Sequence, residues 1–320
     1  MATVLLTGIS GQDGSYLAEQ LRAEGHRVVG LLRAGRTPRA ARLPDIEYTE
    51  WDFAHVDALA QLLRSVRPTE FYNLAAFSTG AGMYDDPVAI GELNGIAVAR
   101  MLQAIVDADA SIRFCQASSS EMFGDPAAAP QDESTPFRPR SPYAAAKLFA
   151  HATVQAFRTR HDVFACSAIL YNHESPRRGQ AFVTRKIADA VARIRAGLDH
   201  ELRLGNLDAQ RDWGYAPDYV HALRLMLAHD HADDYVVATG QLHTVREFCD
   251  LAFSHVGLDY RDWVKGNTTD LREDRRGPVV GNAAKARRVL GWQPSTDFGA
   301  IVRLMVDASI ASLASRDSMS

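Results

Sequence analysis

Two side chains at helical spacing carry the clearest chemistry in this sequence. Tyr143 and Lys147 lie four apart in Ser141-Pro142-Tyr143-Ala144-Ala145-Ala146-Lys147. That spacing puts both on one face of a helix. Ser141 is placed to cap the helix, and Pro142 is tolerated at its first position. A free tyrosine has a pKa of ~10 and is a poor base at neutral pH. A neighbouring ammonium favours the phenolate. Lowering that pKa by ~3 units corresponds to ~4 kcal/mol, an attainable demand at an active site. The pair is then expected to take a proton from a hydroxyl as hydride leaves the same carbon.

A Tyr-xxx-Lys spacing alone is common by chance. A second segment, Phe114-Cys115-Gln116-Ala117-Ser118-Ser119-Ser120-Glu121-Met122, adds a hydroxyl and a carboxylate. In an extended segment alternate residues point the same way, so Ser119 and Glu121 are expected to face one pocket. The serine can hydrogen-bond a carbonyl oxygen, and the carboxylate can act as base or acid. A third segment, Thr7-Gly8-Ile9-Ser10-Gly11-Gln12-Asp13-Gly14, joins the first apolar run to a helical pattern. Its glycines permit a tight turn and close approach of backbone to phosphate. The helix N-terminus behind them offers free N–H groups to a pyrophosphate.

The elements that must hold these residues alternate along the first half. Strand-like runs are Val4–Leu6, Val28–Leu32, Phe71–Ala75, Ile112–Ala117 and Val163–Leu170. Leu17 and Leu21 mark a helical stripe that Gly25 ends, and Val56–Arg64 and Ile96–Ala108 read as helices. Such alternation implies a parallel sheet with helices on both faces, and ligands at the carboxyl ends of its strands. The second half reads as helices Phe182–Ala196, Asp218–Ala228 and Val245–Val256 with a strand Tyr235–Thr239. Asp259–Pro278 reads as surface loop, and Ser312–Ser320 as a fraying tail.

The second strand ends Leu31-Leu32-Arg33, with Arg36 close behind and no acid before Asp45. NAD sites usually place an acid there, whereas a guanidinium suits the 2′-phosphate of NADP. NADP is the expected cofactor.

Bulk properties narrow the setting. A chain of 320 residues, 47% hydrophobic, buries a sizeable core unaided. A net charge of −4 argues against general nucleic-acid binding. Cys115, Cys166 and Cys249 are isolated in apolar stretches and read as buried thiols. The N-terminus has no basic signal-peptide region, and no uninterrupted apolar run approaches the ~18 residues of a span. A cytoplasmic protein with no membrane partner is expected. His229 and His231, interleaved with Asp230, Asp233 and Asp234, read as a solvated loop rather than a metal site.

Together these motifs resemble the extended short-chain dehydrogenase/reductases, and among them the GDP-mannose 4,6-dehydratase family. The likeness spans nearly the whole chain. It includes Asn73-Leu74-Ala75-Ala76, then Tyr171-Asn172-His173-Glu174-Ser175-Pro176-Arg177-Arg178-Gly179, and Arg211-Asp212-Trp213-Gly214. The resemblance implies a Rossmann-like doubly wound parallel sheet in residues 1–171, with 215–240 returning to it. It implies a smaller α/β domain for the sugar nucleotide from 172–214 and 241–320. It places the catalytic set on Ser119, Glu121, Tyr143 and Lys147. Cofactor contacts fall on Gly8, Ser10, Gly11, Gln12, Asp13, Gly14, Arg33, Asp52, Phe53, Leu74, Ala75, Ala76 and Ser78. Tyr143, Lys147, His173 and Arg178 complete that set. Contacts to the GDP-sugar fall on Asn172, Val183, Lys186, Gly205, Arg211 and Arg272, with Ser78, Ser119 and Glu121 near the hexose. A homodimer or homotetramer is implied, and no metal.

The implied reaction is a lyase reaction, redox-neutral overall. Tyr143 takes the C4 hydroxyl proton, Glu121 the C5 proton, and water leaves from C6. The family pattern is broken at Phe77, Met83 and Ala89, where glutamine, serine and tyrosine are expected. Those changes leave another GDP-sugar, such as a GDP-heptose, as an alternative substrate. A nucleotide-sugar 4-reductase or epimerase shares the Tyr–Lys pair but does not require Glu121. A non-catalytic NADP-binding scaffold would be expected to lack part of the set.

Overall fold

The computed structural model describes residues 1–33, 43, 46–51, 53–78, 84, 86–266 and 277–317. Along the first half run β1 (Thr3–Thr7), α1 (Gln12–Ala23), β2 (Arg27–Arg33), β3 (Glu47–Trp51), α2 (Val56–Val66) and β4 (Glu70–Asn73). Next come α3 (Pro87–Gly91), a π-helical turn (Glu92–Ile96), α4 (Ala97–Ala108), β5 (Arg113–Ala117), a 3₁₀ turn (Ser120–Met122), α5 (Pro142–His161) and β6 (Ala165–Leu170). The second half holds β7 (Asn172–Glu174), α6 (Val183–Arg195), β8 (Leu202–Leu204), β9 (Gln210–Arg211), β10 (Trp213–Tyr215), α7 (Ala216–Ala228) and β11 (Asp234–Val237). It closes with β12 (His243–Thr244), α8 (Val245–Ser254), α9 (Tyr260–Trp263), β13 (Val264–Gly266), α10 (Ala284–Leu290) and α11 (Phe298–Asp317).

Seven strands form one sheet in the order β11-β6-β5-β4-β1-β2-β3. Every pairing in it is parallel. Alternate residues serve opposite faces, as the pleat requires. Val4 and Leu6 pack with Leu17 and Leu21 of α1 and Leu223 of α7. Leu5 packs on the other side with Leu59, Leu102 and Val154. The strand order reverses between β1 and β4, so a crevice opens at their carboxyl ends, where ligands bind in such sheets. A third core lies outside the sheet. Ile187 and Val191 of α6 meet Phe248 and Phe253 of α8, Met305 of α11 and Trp213.

The alternation read from the sequence is present, with differences that have physical causes. β4 stops at Asn73 rather than Ala75. The Thr7 hydroxyl takes the N–H groups of Leu74 and Ala75, both at 3.1 Å, and turns the chain out of the sheet. β3 carries Glu-Tyr-Thr-Glu-Trp, which has no apolar run because it is an edge strand beside β2 alone. The segment expected as surface loop from 259 begins as α9 and β13, and β13 pairs with β8. Ser312–Asp317, expected to fray, is the last part of α11. Two helical stretches, Pro87–Ala108 and Phe298–Ser315, are long and apolar enough to cross a membrane by composition. In this fold α4 packs on α2 and α5, and α11 packs on α6 and α8.

Candidate active site

The glycine loop leaves β1 with Gly8 at φ +68°, a conformation that favours glycine. A Cβ there would lie 2.7 Å from the backbone of Leu74 and Ala75. One on Gly14 would lie 2.2 Å from the Gly8 carbonyl oxygen. The loop is therefore packed to the limit against itself and against the exit of β4. No side chain caps α1, so its first N–H groups remain for a ligand. Beside it lies a groove of about 570 Å³. Gly8, Ser10, Gly11, Gln12, Asp13 and Gly14 form one wall, and Leu74, Ala75, Ala76 and Ser78 another. Arg33 and Phe53 close the far end, with the Arg33 guanidinium 5.3 Å from the Phe53 ring centre.

A cavity of about 150 Å³ adjoins this groove and brings Ser119, Glu121, Tyr143, Lys147 and His173 together. It shares Asp13, Ser78 and Arg178 with the groove. On its other side it shares Ser120, Glu121 and Asn172 with a cleft of about 220 Å³ that Arg211, Asn206 and Asp208 line. The three spaces thus meet around the residues expected to be catalytic.

Helix α5 presents Tyr143 and Lys147 as the spacing predicts. The Ser141 hydroxyl accepts the Ala144 N–H at 3.1 Å, and Pro142 is the first helical residue. Ser119 and Glu121 reach the pocket by a different route from the one expected. The chain is extended only to Ser119, which caps the 3₁₀ turn and accepts the Glu121 N–H at 3.2 Å. A turn, not strand alternation, aims the carboxylate.

The Tyr–Lys electrostatics also depart from expectation. Lys147 is 2% exposed, and its ammonium donates to the Ala117 carbonyl at 2.8 Å. It lies 5.8 Å from the Tyr143 ring centre. Burial pushes the Lys147 pKa down to about 8, against the pull of Asp13. Burial pushes Tyr143 up to about 12, and the hydrogen bond with Ser119 and the Arg178 charge only partly oppose it. The expected depression of the tyrosine is therefore absent from the protein alone. Desolvation of the phenolate outweighs the Ser119 hydrogen bond and the Arg178 charge.

Behind the pocket lies a dense polar layer. His173 bonds Asp13 at 2.9 Å and the Tyr171 carbonyl at 2.7 Å. Arg178 pairs with buried Glu174 at 3.1 Å and lies 3.5 Å over the Phe182 ring. Three residues expected near the nucleotide line none of these spaces. Val183 starts α6, Gly205 follows β8, and the Lys186 ammonium donates to the Arg203 carbonyl at 2.7 Å. Asp52 and Arg272 lie outside the described residues. Sequence reading passed over Ser120, which lines both cavity and cleft, and Phe182, which faces both groove and cavity. Ser120 was hidden because the extended reading turned it away. Phe182 had a signal, an aromatic four residues after Arg178 at the start of a helix.

Residues 5–305 match the family described as GDP-mannose 4,6 dehydratase. The chain belongs to the GDP-mannose 4,6-dehydratase family. It is 42% identical over 322 residues to GDP-mannose 4,6 dehydratase 2 of Arabidopsis thaliana, covering 96% of this chain and 86% of that one. The human GDP-mannose 4,6 dehydratase is 40% identical over 338 residues, with 96% and 91% covered. Among solved structures, RMD from Pseudomonas aeruginosa complexed with NADPH superposes with a TM-score of 0.85 at 24% identity, covering 98% of this chain and all of that one. dTDP-glucose 4,6-dehydratase from Bacillus anthracis superposes at 0.82 with 17% identity over 96% of both chains. The fold of this family member is the one these enzymes share.

The Lys147 value makes a prediction with a definite sign. A folded pKa of about 8, below the ordinary lysine range, means the ammonium is lost above pH 8 in the folded chain. The unfolded chain keeps that proton up to ~10.4. Between these limits this group makes stability rise with pH while it makes activity fall. The alkaline limb of kcat/KM should be centred near pH 8, and Lys147→Arg should remove it from that range because a guanidinium does not titrate there. A limb unmoved by that substitution would assign it to another group.

Proposed function

We propose that this chain converts GDP-mannose to GDP-4-keto-6-deoxymannose, with NADP as its cofactor. One arrangement carries the reading. A carboxylate, Glu121, shares a cavity with Ser119, Tyr143 and Lys147, between a dinucleotide-sized groove and a second cleft. The groove fits a dinucleotide. Its loop glycines leave no room for a Cβ, and an uncapped helix N-terminus faces it. Arg33, beside Phe53 in this groove, would hold the 2′-phosphate. Gly8–Gly14 would hold the pyrophosphate, and Leu74–Ala76, Ser78, Lys147 and Arg178 the nicotinamide half. Bound there, the nicotinamide would supply reversible hydride transfer, the chemistry that a redox-neutral oxidation at C4 and reduction at C6 requires.

The chain's own residues supply the proton steps. Tyr143 takes the proton of the C4 hydroxyl, and Ser119 holds that oxygen as it becomes a ketone. The ketone acidifies the hydrogen on C5. Glu121 takes that proton and protonates the departing C6 hydroxyl, so one water leaves; a proton then returns to C5 as C6 is reduced, balancing the one that Tyr143 took. Lys147 holds positive charge beneath Tyr143. Arg211, with Asn206 and Asp208 in the same cleft, faces the nucleotide side. A 4-reductase or epimerase would need no carboxylate at position 121, and Glu121 is what favours dehydration.

We assign residues 1–171 and 215–240 to the dinucleotide domain and the remainder to the sugar-nucleotide domain. We place the protein in the cytoplasm as a homodimer or homotetramer. The contact face we favour is that of α3, the π-helical turn and α5, where Val88, Ile96 and Phe149 are exposed.

Two experiments test the reading. GDP-mannose incubated with the enzyme and NADP⁺ should lose one water, read by mass spectrometry. Glu121→Gln should stop that loss by at least ~10²-fold and leave NADP⁺ binding unchanged. Full activity in this variant, or stoichiometric consumption of NADPH, would overturn the mechanism. For the cofactor, Arg33→Ala should weaken NADP⁺ binding by about tenfold or more and leave NAD⁺ binding unchanged. Tighter binding of NAD⁺ by the unaltered chain would reverse the assignment.

A further inference from the structure

His173, on β7, lines the cavity beside Asp13 and Arg178, and only 8% of it is exposed. Its Nδ1 lies 2.7 Å from the Tyr171 carbonyl oxygen, which can only accept. That nitrogen therefore carries a proton. Its Nε2 lies 2.9 Å from Asp13 Oδ2. The other Asp13 oxygen accepts from Gln12 Nε2 at 3.1 Å. Asp13 lies in the first turn of α1, where the helix dipole favours a carboxylate. The Tyr219 ring stacks on the imidazole at 4.8 Å, offering its face to a cation.

Every element packed around the ring contributes. From α1 come Asp13 and Gln12, whose Nε2 also donates to the His173 carbonyl at 3.0 Å. From the end of β6 comes the Tyr171 carbonyl, and from α7 the Tyr219 ring. Arg178 opposes a positive ring, and Lys147 on α5 is drawn to Asp13. Asp13 is the acid in contact with the ring, and it faces all three cations.

We infer that His173 is held doubly protonated by Asp13, and that Asp13 is a positioning residue acting through this cation to fasten the glycine-loop helix to the strand that carries Asn172. A side-chain bond reinforces the joint: Ser175 Oγ donates to Gln12 Oε1 at 2.8 Å, and it accepts the Arg177 N–H at 3.0 Å. The two sides of the site are then one mechanical unit. What binds along the glycine loop also sets where Asn172 lies in the cleft.

Burial alone would lower the His173 pKa, but the Asp13 charge and hydrogen bond raise it above the ordinary histidine value. Burial alone would raise Asp13, but the His173 charge and bond hold it below the ordinary carboxylate value. The histidine's share of stability is full below ~6.5 and fades as pH rises through its raised value. The aspartate's share is full above ~3.9 and fades as pH falls through its lowered value. The fastening is complete between those limits.

The ring itself can be read directly. In full-length protein with ¹⁵N-labelled histidine, at neutral pH, both His173 nitrogens should give protonated shifts. His173→Gln identifies the signal by its loss. Should that variant not fold, the signal that Asp13→Asn moves serves instead. Asp13→Asn should convert the ring to one bare nitrogen, weaken NADP⁺ binding about tenfold or more, and raise KM for the nucleotide sugar more than it lowers kcat. Asp13→Glu, which keeps the carboxylate, should restore the protonated signature. A bare ring nitrogen in the unaltered protein overturns the inference. So does unchanged NADP⁺ affinity in Asp13→Asn. The affinity arm rests on the proposed cofactor. Unaltered protein with both ring protons but no NADP⁺ binding would sink the cofactor reading and uphold the imidazolium.

Discussion

A buried row of hydrogen bonds crosses the carboxyl ends of three neighbouring strands and ends on the Lys147 ammonium. Thr7 on β1 donates to Asn73 on β4 at 2.5 Å, and Asn73 donates to Gln116 on β5 at 2.7 Å. Gln116 donates to the Ala117 carbonyl at 2.7 Å, and Lys147 donates to the same oxygen at 2.8 Å. All four side chains are nearly inaccessible to water. Each bond contributes only ~1 kcal/mol net, but breaking one strands a buried partner at a cost of ~1–3 kcal/mol. The row therefore tolerates little displacement. It ties the start of the glycine loop, which lines the groove, to the helix that carries Tyr143 in the adjoining cavity.

The charges near this row set what the proposed proton steps require. Tyr143, held at about 12, is a phenol in the protein alone, so it must first lose that proton before it can act as the proposed base. Lys147, at about 8, stays charged near neutrality despite its burial. Asp13 offsets it and His173 at once, so the cations do not accumulate unpaired. Glu121 comes from a separate 3₁₀ turn, as the proposed division of work between it and the tyrosine requires.

Much of this was legible in the residues. The strands that are buried on both faces announced themselves as apolar runs, as Ala165–Leu170 does with all six residues buried. The glycine loop and the Tyr–Lys helix were visible because their chemistry depends on local spacing. What escaped depends on contacts distant in sequence. Edge strand β3 has no apolar signature, and the end of β4 is decided by a hydroxyl 67 residues earlier. The turn at Ser119 reads as strand continuation until its cap is seen. The tyrosine's pKa could not be taken from its neighbour at position 147 alone, because the burial of both groups decides it. The join between Asp13 and His173 spans 160 residues and leaves no local pattern.

The central claim is that the hydrogen removed from C4 is the one delivered to C6 of the same sugar, with water lost between. GDP-mannose carrying deuterium at C4 tests it most directly. The account predicts a product with deuterium at C6, with none released to solvent and no net change in the cofactor's redox state. Deuterium lost to water, or retained on a reduced cofactor that accumulates with product, would contradict it.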